Sequence, residues 1–404
     1  MMACSHTERV CATVVFSLLL FRTPLLQSQA TSPTSTHPSS QKDRARLANE
    51  GRDALNSGKY AVAERNYDEL LKLGVHSPLV YSNLGVVYMR TGRFDRAIHA
   101  FLEAKALAPD VPGIRLNLGL AYFRKHEFKN AASNFGDTLT SDPNNFQARY
   151  LKGECHFMLD EFAKAIAVFE PLQSAEQNDL EYLFMLGTSY GMLKRADESL
   201  RVFERMVQVG DDTPHLHLLL GKAYLALGQN DNAAEELKRA AATETVPFAH
   251  YYLGVLNRQL GHPESALTEF EKEIRIDAKN ALAYKELAEI HLDQADPKSA
   301  IAVLEEGIAH SHDVPELYAT LGRAYIQVSN EAQAISVLKK AIAISPSVGS
   351  YHYQLGRAYL KAGRLGDAHA EMERARVLTA QAPQGKMRAF SSEQENESVN
   401  DGSH

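Results

Sequence analysis

The chain has no tryptophan, only three cysteines and no surplus of base: 43 Lys and Arg stand against 50 Asp and Glu, a formal charge of −7. Without basic blocks it is a poor partner for nucleic acid, whose binding rests on neutralising phosphates. Long apolar runs are scarce. The run from Val10 to Phe21 is twelve residues, interrupted by Thr13 and Ser17, too short to span a bilayer comfortably. There is no His-Glu-x-x-His and no glycine loop ending in Lys-Ser or Lys-Thr. His215/His217 and His310/His312 are spaced by two, which on a helix turns the rings about 200° apart, so neither pair can share an ion from one face. No two carboxylates stand out as acid and base. The expectation is a protein that is not an enzyme, with no cofactor and no metal.

The first thirty residues read as a secretory signal. A polar start with Arg9 precedes the apolar run, Arg22 and Pro24 end it, and Ser28-Gln29-Ala30 offers small residues for cleavage after Ala30. The expected location is periplasmic or secreted, with no stable membrane span once the signal is removed. Cleavage leaves Cys155 alone, so no internal disulfide can form. The same slot elsewhere holds Val87, Ala121 and Ala223, which marks Cys155 as a packed core thiol.

What is present in abundance is repetition. Gly51, Gly85, Gly119, Gly153, Gly187, Gly221, Gly254, Gly322 and Gly356, with Ala288 in the missing slot, recur every 34 residues except for one step of 33. Twelve residues after each stands an alanine, from Ala63 and Ala97 to Ala368, or once Ser199. A period of this size means units too small to bury a core alone, stacked on their neighbours.

One unit shows how it works. Pro78 opens a helix, and Tyr81, Leu84, Gly85 and Tyr88 follow at helical spacings. Gly92 ends it, suited to the left-handed residue after a helix. Phe94, Ala97, Phe101 and Ala104 stripe a second helix, stopped by Pro109. Small residues at the Gly85 and Ala97 places let the helices approach closely. Tyr88 and Phe101 are expected to fill the space towards the next hairpin. His126, Asp160, Lys194, Ala295 and Ser329 replace the turn glycine in five units, and Asp296 is placed to cap a second helix.

These residues resemble the tetratricopeptide repeat, whose pattern is an aromatic, Leu-Gly, Tyr, Ala, Phe and Pro. Leu-Gly recurs at Leu84-Gly85, Leu118-Gly119, Leu186-Gly187, Leu220-Gly221, Leu253-Gly254, Leu321-Gly322 and Leu355-Gly356. The first aromatic slot departs most, holding Arg115, Arg149, His217, His250 and His352 among others. The resemblance implies an all-α solenoid, a right-handed superhelix of antiparallel helix hairpins. The expected order is a signal peptide at 1–30, a flexible linker at 31–43, about ten repeats over 44–382 and a disordered tail at 383–404.

In such arrays the first helices line a concave groove. The groove places hold Met89, Leu120, Phe123, Tyr150, Phe157, Met158, Phe184, Met192, Leu225 and Tyr251, with Arg90, Arg124, Glu154, Lys222 and Arg258 scattered among them. Apolar strips of this kind mark binding surfaces for a peptide or helix; the same residues also serve to pack adjacent first helices. Asn49, Asn83 and Asn117 fall at an asparagine place of the family's carboxylate clamp, but the basic set is incomplete. The expected function is an exported, non-enzymatic protein–protein interaction scaffold that binds a peptide or partner helix in its concave groove. A second reading is a polysaccharide- or lipid-binding component of a cell-envelope secretion or assembly system.

Overall fold

The computed structural model describes residues 38–172 and 178–381. The expected signal, the tail and residues 31–37 of the expected linker lie outside them. No strand occurs among the described residues. Contacts gather into two compact units that divide between Val209 and Gly210. The first contains α1 (Pro38–Asn56), α2 (Tyr60–Lys72), α3 (Pro78–Arg90), α4 (Phe94–Leu107), α5 (Pro112–Arg124), α6 (Phe128–Ser141), α7 (Phe146–Met158), α8 (Phe162–Phe169), α9 (Leu180–Met192) and α10 (Ala196–Val209). The second contains α11 (Pro214–Ala226), α12 (Asn230–Ala241), α13 (Ala249–Gln259), α14 (Pro263–Ile276), α15 (Ala281–Asp293), α16 (Pro297–His310), α17 (Pro315–Gln327), α18 (Glu331–Ile344), α19 (Gly349–Lys361) and α20 (Leu365–Gln381). Each odd helix pairs with the next as a hairpin, and each unit is an all-α solenoid of five hairpins.

The helix boundaries follow from local chemistry. Side chains of Ser77, Asn145, Asp179, Thr213, Asn280 and Asn330 accept the N–H three residues on, and Asp296 does so from Ser299 as its position implied. Helix α1 begins at Pro38, inside the stretch read as linker; proline is tolerated in a first turn, where its missing N–H costs nothing. Helix α8 has only eight residues and gives way to a 3-10 turn, Glu170–Leu172. Pro171 sits in that turn, where it cannot donate the bond that would prolong the helix.

Every turn inside a hairpin needs one left-handed residue. Gly58, Gly92, Gly228, Gly261 and Gly363 supply it at φ 71–78°, while His126, Asp160, Lys194, Ala295 and Ser329 adopt φ 55–61° in the other five. The geometry is imposed by the hairpin, and the non-glycine residues carry the strain.

The glycine slots serve a different purpose. A Cβ built on Gly85 would lie 2.5 Å from the Phe101 ring, and on Gly254 2.6 Å from Phe270. Phe101 therefore lies across its own hairpin, wholly buried against Gly85. The missing side chain at position 85 leaves a hole for the ring, which also shares a buried cluster with Leu118 and Ala121 of the next hairpin, as expected. Tyr88 is half-buried, with the Arg93 guanidinium 4.7 Å from its ring centre. Hairpin α15–α16 exchanges the parts. Ala288 takes the glycine slot opposite Leu304, and Gly307 makes room for Tyr284.

Within each unit, the stronger contacts between helices two apart in sequence join first helices of successive hairpins, such as α3 with α5 and α7 with α9. The first helices thus form the inner layer. They are covered by their own second helix on one side and by neighbouring first helices on both flanks.

Candidate functional site

That inner layer decides what the expected groove residues do. Leu120, Phe123, Tyr150, Phe157, Phe184, Leu225 and Tyr251 are all buried. Phe157 meets Phe184 edge-on at 5.7 Å between ring centres, and Tyr150 meets Phe169 at 6.2 Å. Tyr251 is packed against Tyr252 and Phe270 at 5.2 and 5.8 Å. Packing consumes these seven side chains, so they shape the layer from beneath. Met89, Met158 and Met192 stay half-buried. In the first unit they stand at or near the C-terminal ends of α3, α7 and α9, with Phe123 at the matching place of α5. Met89 and Phe123 stand four residues after their slot glycines and Met158 and Met192 five, and only the three methionines are half-buried.

The two units treat charge differently. In the second, the inner layer satisfies itself. Arg258 on α13 reaches Glu286 at 2.5 Å and Asp293 at 2.9 Å on α15, and Arg323 on α17 reaches Glu289 at 2.8 Å. Lys222 is buried with its ammonium 5.5 Å from the Tyr252 ring centre. In the first unit, Arg90 and Arg124 are exposed. Glu154 on α7 is only 6% exposed. It lies between Tyr150, whose hydroxyl is 3.3 Å from Asp179, and Phe157, which meets Phe184. Burial raises its carboxyl to about 8; Arg124 on α5 opposes the shift, and Asp179 and Glu181 at the start of α9 add to it. A carboxylate deprived of water is disfavoured in its charged form.

Three histidines in the irregular first slot form a pattern that sequence reasoning missed. His217, His250 and His352 are buried, and each Nδ1 lies 2.5–2.6 Å from a carboxylate nineteen residues on: Glu236, Glu269 and Glu371. Each pair ties the two helices of one hairpin. Burial would raise the Glu269 carboxyl, but hydrogen bonds from His250 and Lys272 hold it below its ordinary value. The constant spacing was the available signal. Arg239 pairs with Asp212 at 2.5 Å and lies 3.8 Å from Glu236.

Other singled-out residues are used within the fold. Asn83 is buried and donates to the Tyr67 hydroxyl at 3.0 Å, while exposed Asn49 accepts from Arg52 at 2.8 Å. Cys155 is wholly buried, and burial pushes its thiol well above the ordinary range. Gly187-Thr188-Ser189-Tyr190-Gly191 has the spacing of a serine nucleophile elbow, a match that calls for a strand-to-helix turn. Here it lies inside α9, and the fully buried Ser189 hydroxyl donates to the Met185 carbonyl at 2.6 Å. It is a helix-packing serine. No helix among the described residues is long and apolar enough to cross a membrane.

Solved structures with a similar arrangement include MamA from Desulfovibrio magneticus, 23% identical, covering 42% of this chain and 97% of its own, at a TM-score of 0.38. Yeast Tom70 is 14% identical and covers 89% of this chain and 96% of its own, at 0.41. The anaphase-promoting-complex assembly Cut9–Hcn1 is 14% identical, with 85% and 95% covered, at 0.40. No curated protein sequence matches the chain. The tetratricopeptide-repeat pattern itself matches residues 49–112, 116–179, 218–281 and 319–385, more than half of the sequence. With the hairpins, the ring-filled glycine slots and this match in agreement, the chain belongs to the tetratricopeptide-repeat family.

Proposed function

We propose that this protein–protein interaction scaffold holds a peptide or partner helix on the inner layer of its first unit, without catalysing a reaction. The observation that carries the reading is the set of half-buried methionines Met89, Met158 and Met192 at the C-terminal ends of first helices. Half-buried methionines adapt to a partner's shape and leave apolar surface for it to cover. The leading segment supports export, so the partner would be a periplasmic or extracellular protein. A glycan reading has less support, because two of the three rings suited to stacking on sugar, Tyr150 and Tyr251, are buried in the packing, and only Tyr353 stays half-buried.

The test is crosslinking in the native host with the full chain, followed by identification of the attached protein. Met158→Glu with Met192→Glu should abolish the crosslink while helical content stays unchanged. Leu102→Glu, an exposed leucine on second helix α4, should leave it intact. Retention of the partner by the methionine variant would overturn the assignment.

A further inference from the structure

We propose that Glu154 receives a basic side chain, Lys or Arg, carried by the segment bound on the inner layer of the first unit. The inference rests on the binding surface proposed above and names the chemistry of its occupant. Glu154 is more than nine-tenths buried, and among the described residues it makes no hydrogen bond and no ion pair. Its oxygens are not among the fully buried side-chain atoms left without a partner, so they keep a narrow contact with solvent. In this protein the contrast is internal: Glu286, equally buried on the inner layer of the second unit, is held by Arg258 at 2.5 Å.

The surroundings favour a cation from outside. The charged groups that act on Glu154 are Arg124 on α5 and Asp179 and Glu181 at the start of α9, two further carboxylates against one guanidinium. Asp179 is already engaged, accepting the Tyr182 N–H at 2.6 Å and lying 3.3 Å from the Tyr150 hydroxyl. Arg124 is exposed, and Met158 and Glu181 are half-buried, so solvent reaches the surface that Glu154 floors. Tyr150 and Phe157 lie one helical turn to either side of it. Both rings are packed into the layer, so the methylene stem of a Lys or Arg would rest on half-buried Met158.

Such an occupant leaves a signature. Burial keeps the empty site protonated at neutral pH, whereas an arriving cation favours the carboxylate. Binding therefore releases a proton, and affinity rises by up to about tenfold per pH unit from pH 6 towards pH 8.

The experiment pans a random dodecapeptide display library on the full chain and, in parallel, on Glu154→Gln. The amide reproduces the shape of the neutral carboxyl, and an unchanged melting curve verifies the fold. Expected is enrichment of one Lys or Arg beside apolar residues on the native chain, lost on the variant. A synthetic peptide of the enriched sequence should bind with proton release, read by calorimetry in two buffers of different ionisation enthalpy, and the variant should release none. Peptides without a basic residue, or equal enrichment on both proteins, would overturn the assignment of Glu154 while leaving the binding surface standing. A library that yields no binder on either protein would overturn both.

Discussion

Replacing Gly85 by alanine adds one methyl group to a helix, which ordinarily stabilises it by about 1 kcal/mol. Here the sign should reverse. The new Cβ would stand 2.5 Å from Phe101 Cε1 and 2.7 Å from Cδ1 and Cζ, about 1 Å inside ordinary contact. The ring has no free direction, since Phe101, Ala97 and Ala104 are all fully buried. Overpacking of this kind costs about 1–3 kcal/mol, so the net loss should be up to about 2 kcal/mol once the helical gain of about 1 is subtracted. Gly113 provides the control, being a helical glycine whose added Cβ meets nothing within 4 Å. Gly113→Ala should be neutral or mildly stabilising. Because repeat arrays can open locally, the assay is amide hydrogen exchange resolved to α3 and α4, beside urea unfolding of the full chain. Protection in those helices should fall in Gly85→Ala and hold in Gly113→Ala. Equal behaviour of the two variants would refute the ring-in-slot account.

The other expectations concern turns and the buried thiol. Ala295→Gly and Lys194→Gly place glycine at φ 57° and 61° and should each stabilise by about 1 kcal/mol, seen as a raised melting temperature; a lowered one would contradict the strain. Cys155 should resist thiol reagents in the native chain and react at the rate of unfolding, because only the exposed thiolate attacks; rapid labelling without denaturant would count against its burial.

The sequence by itself determined the repeat. Its period, the Leu-Gly pairs and the turn positions are local or strictly periodic, and helices and caps follow from signals within a few residues. It even located strain, since replacing a turn glycine by Ala295 changes the residue but not the backbone the hairpin demands. Tertiary structure decided what each inner-layer side chain is used for. Phe157 and Met158 are neighbours of similar apolarity, yet one is buried against Phe184 and the other stays half-buried. The hydrophobic pattern cannot separate them, because burial depends on which neighbouring helix each faces. Charge is the same: Glu154 and Glu286 are both glutamates on first helices, and only the placement of Arg258 shows that Glu286 is already answered. Pairing energies arise between groups tens of residues apart, so they become visible only when the hairpins are stacked.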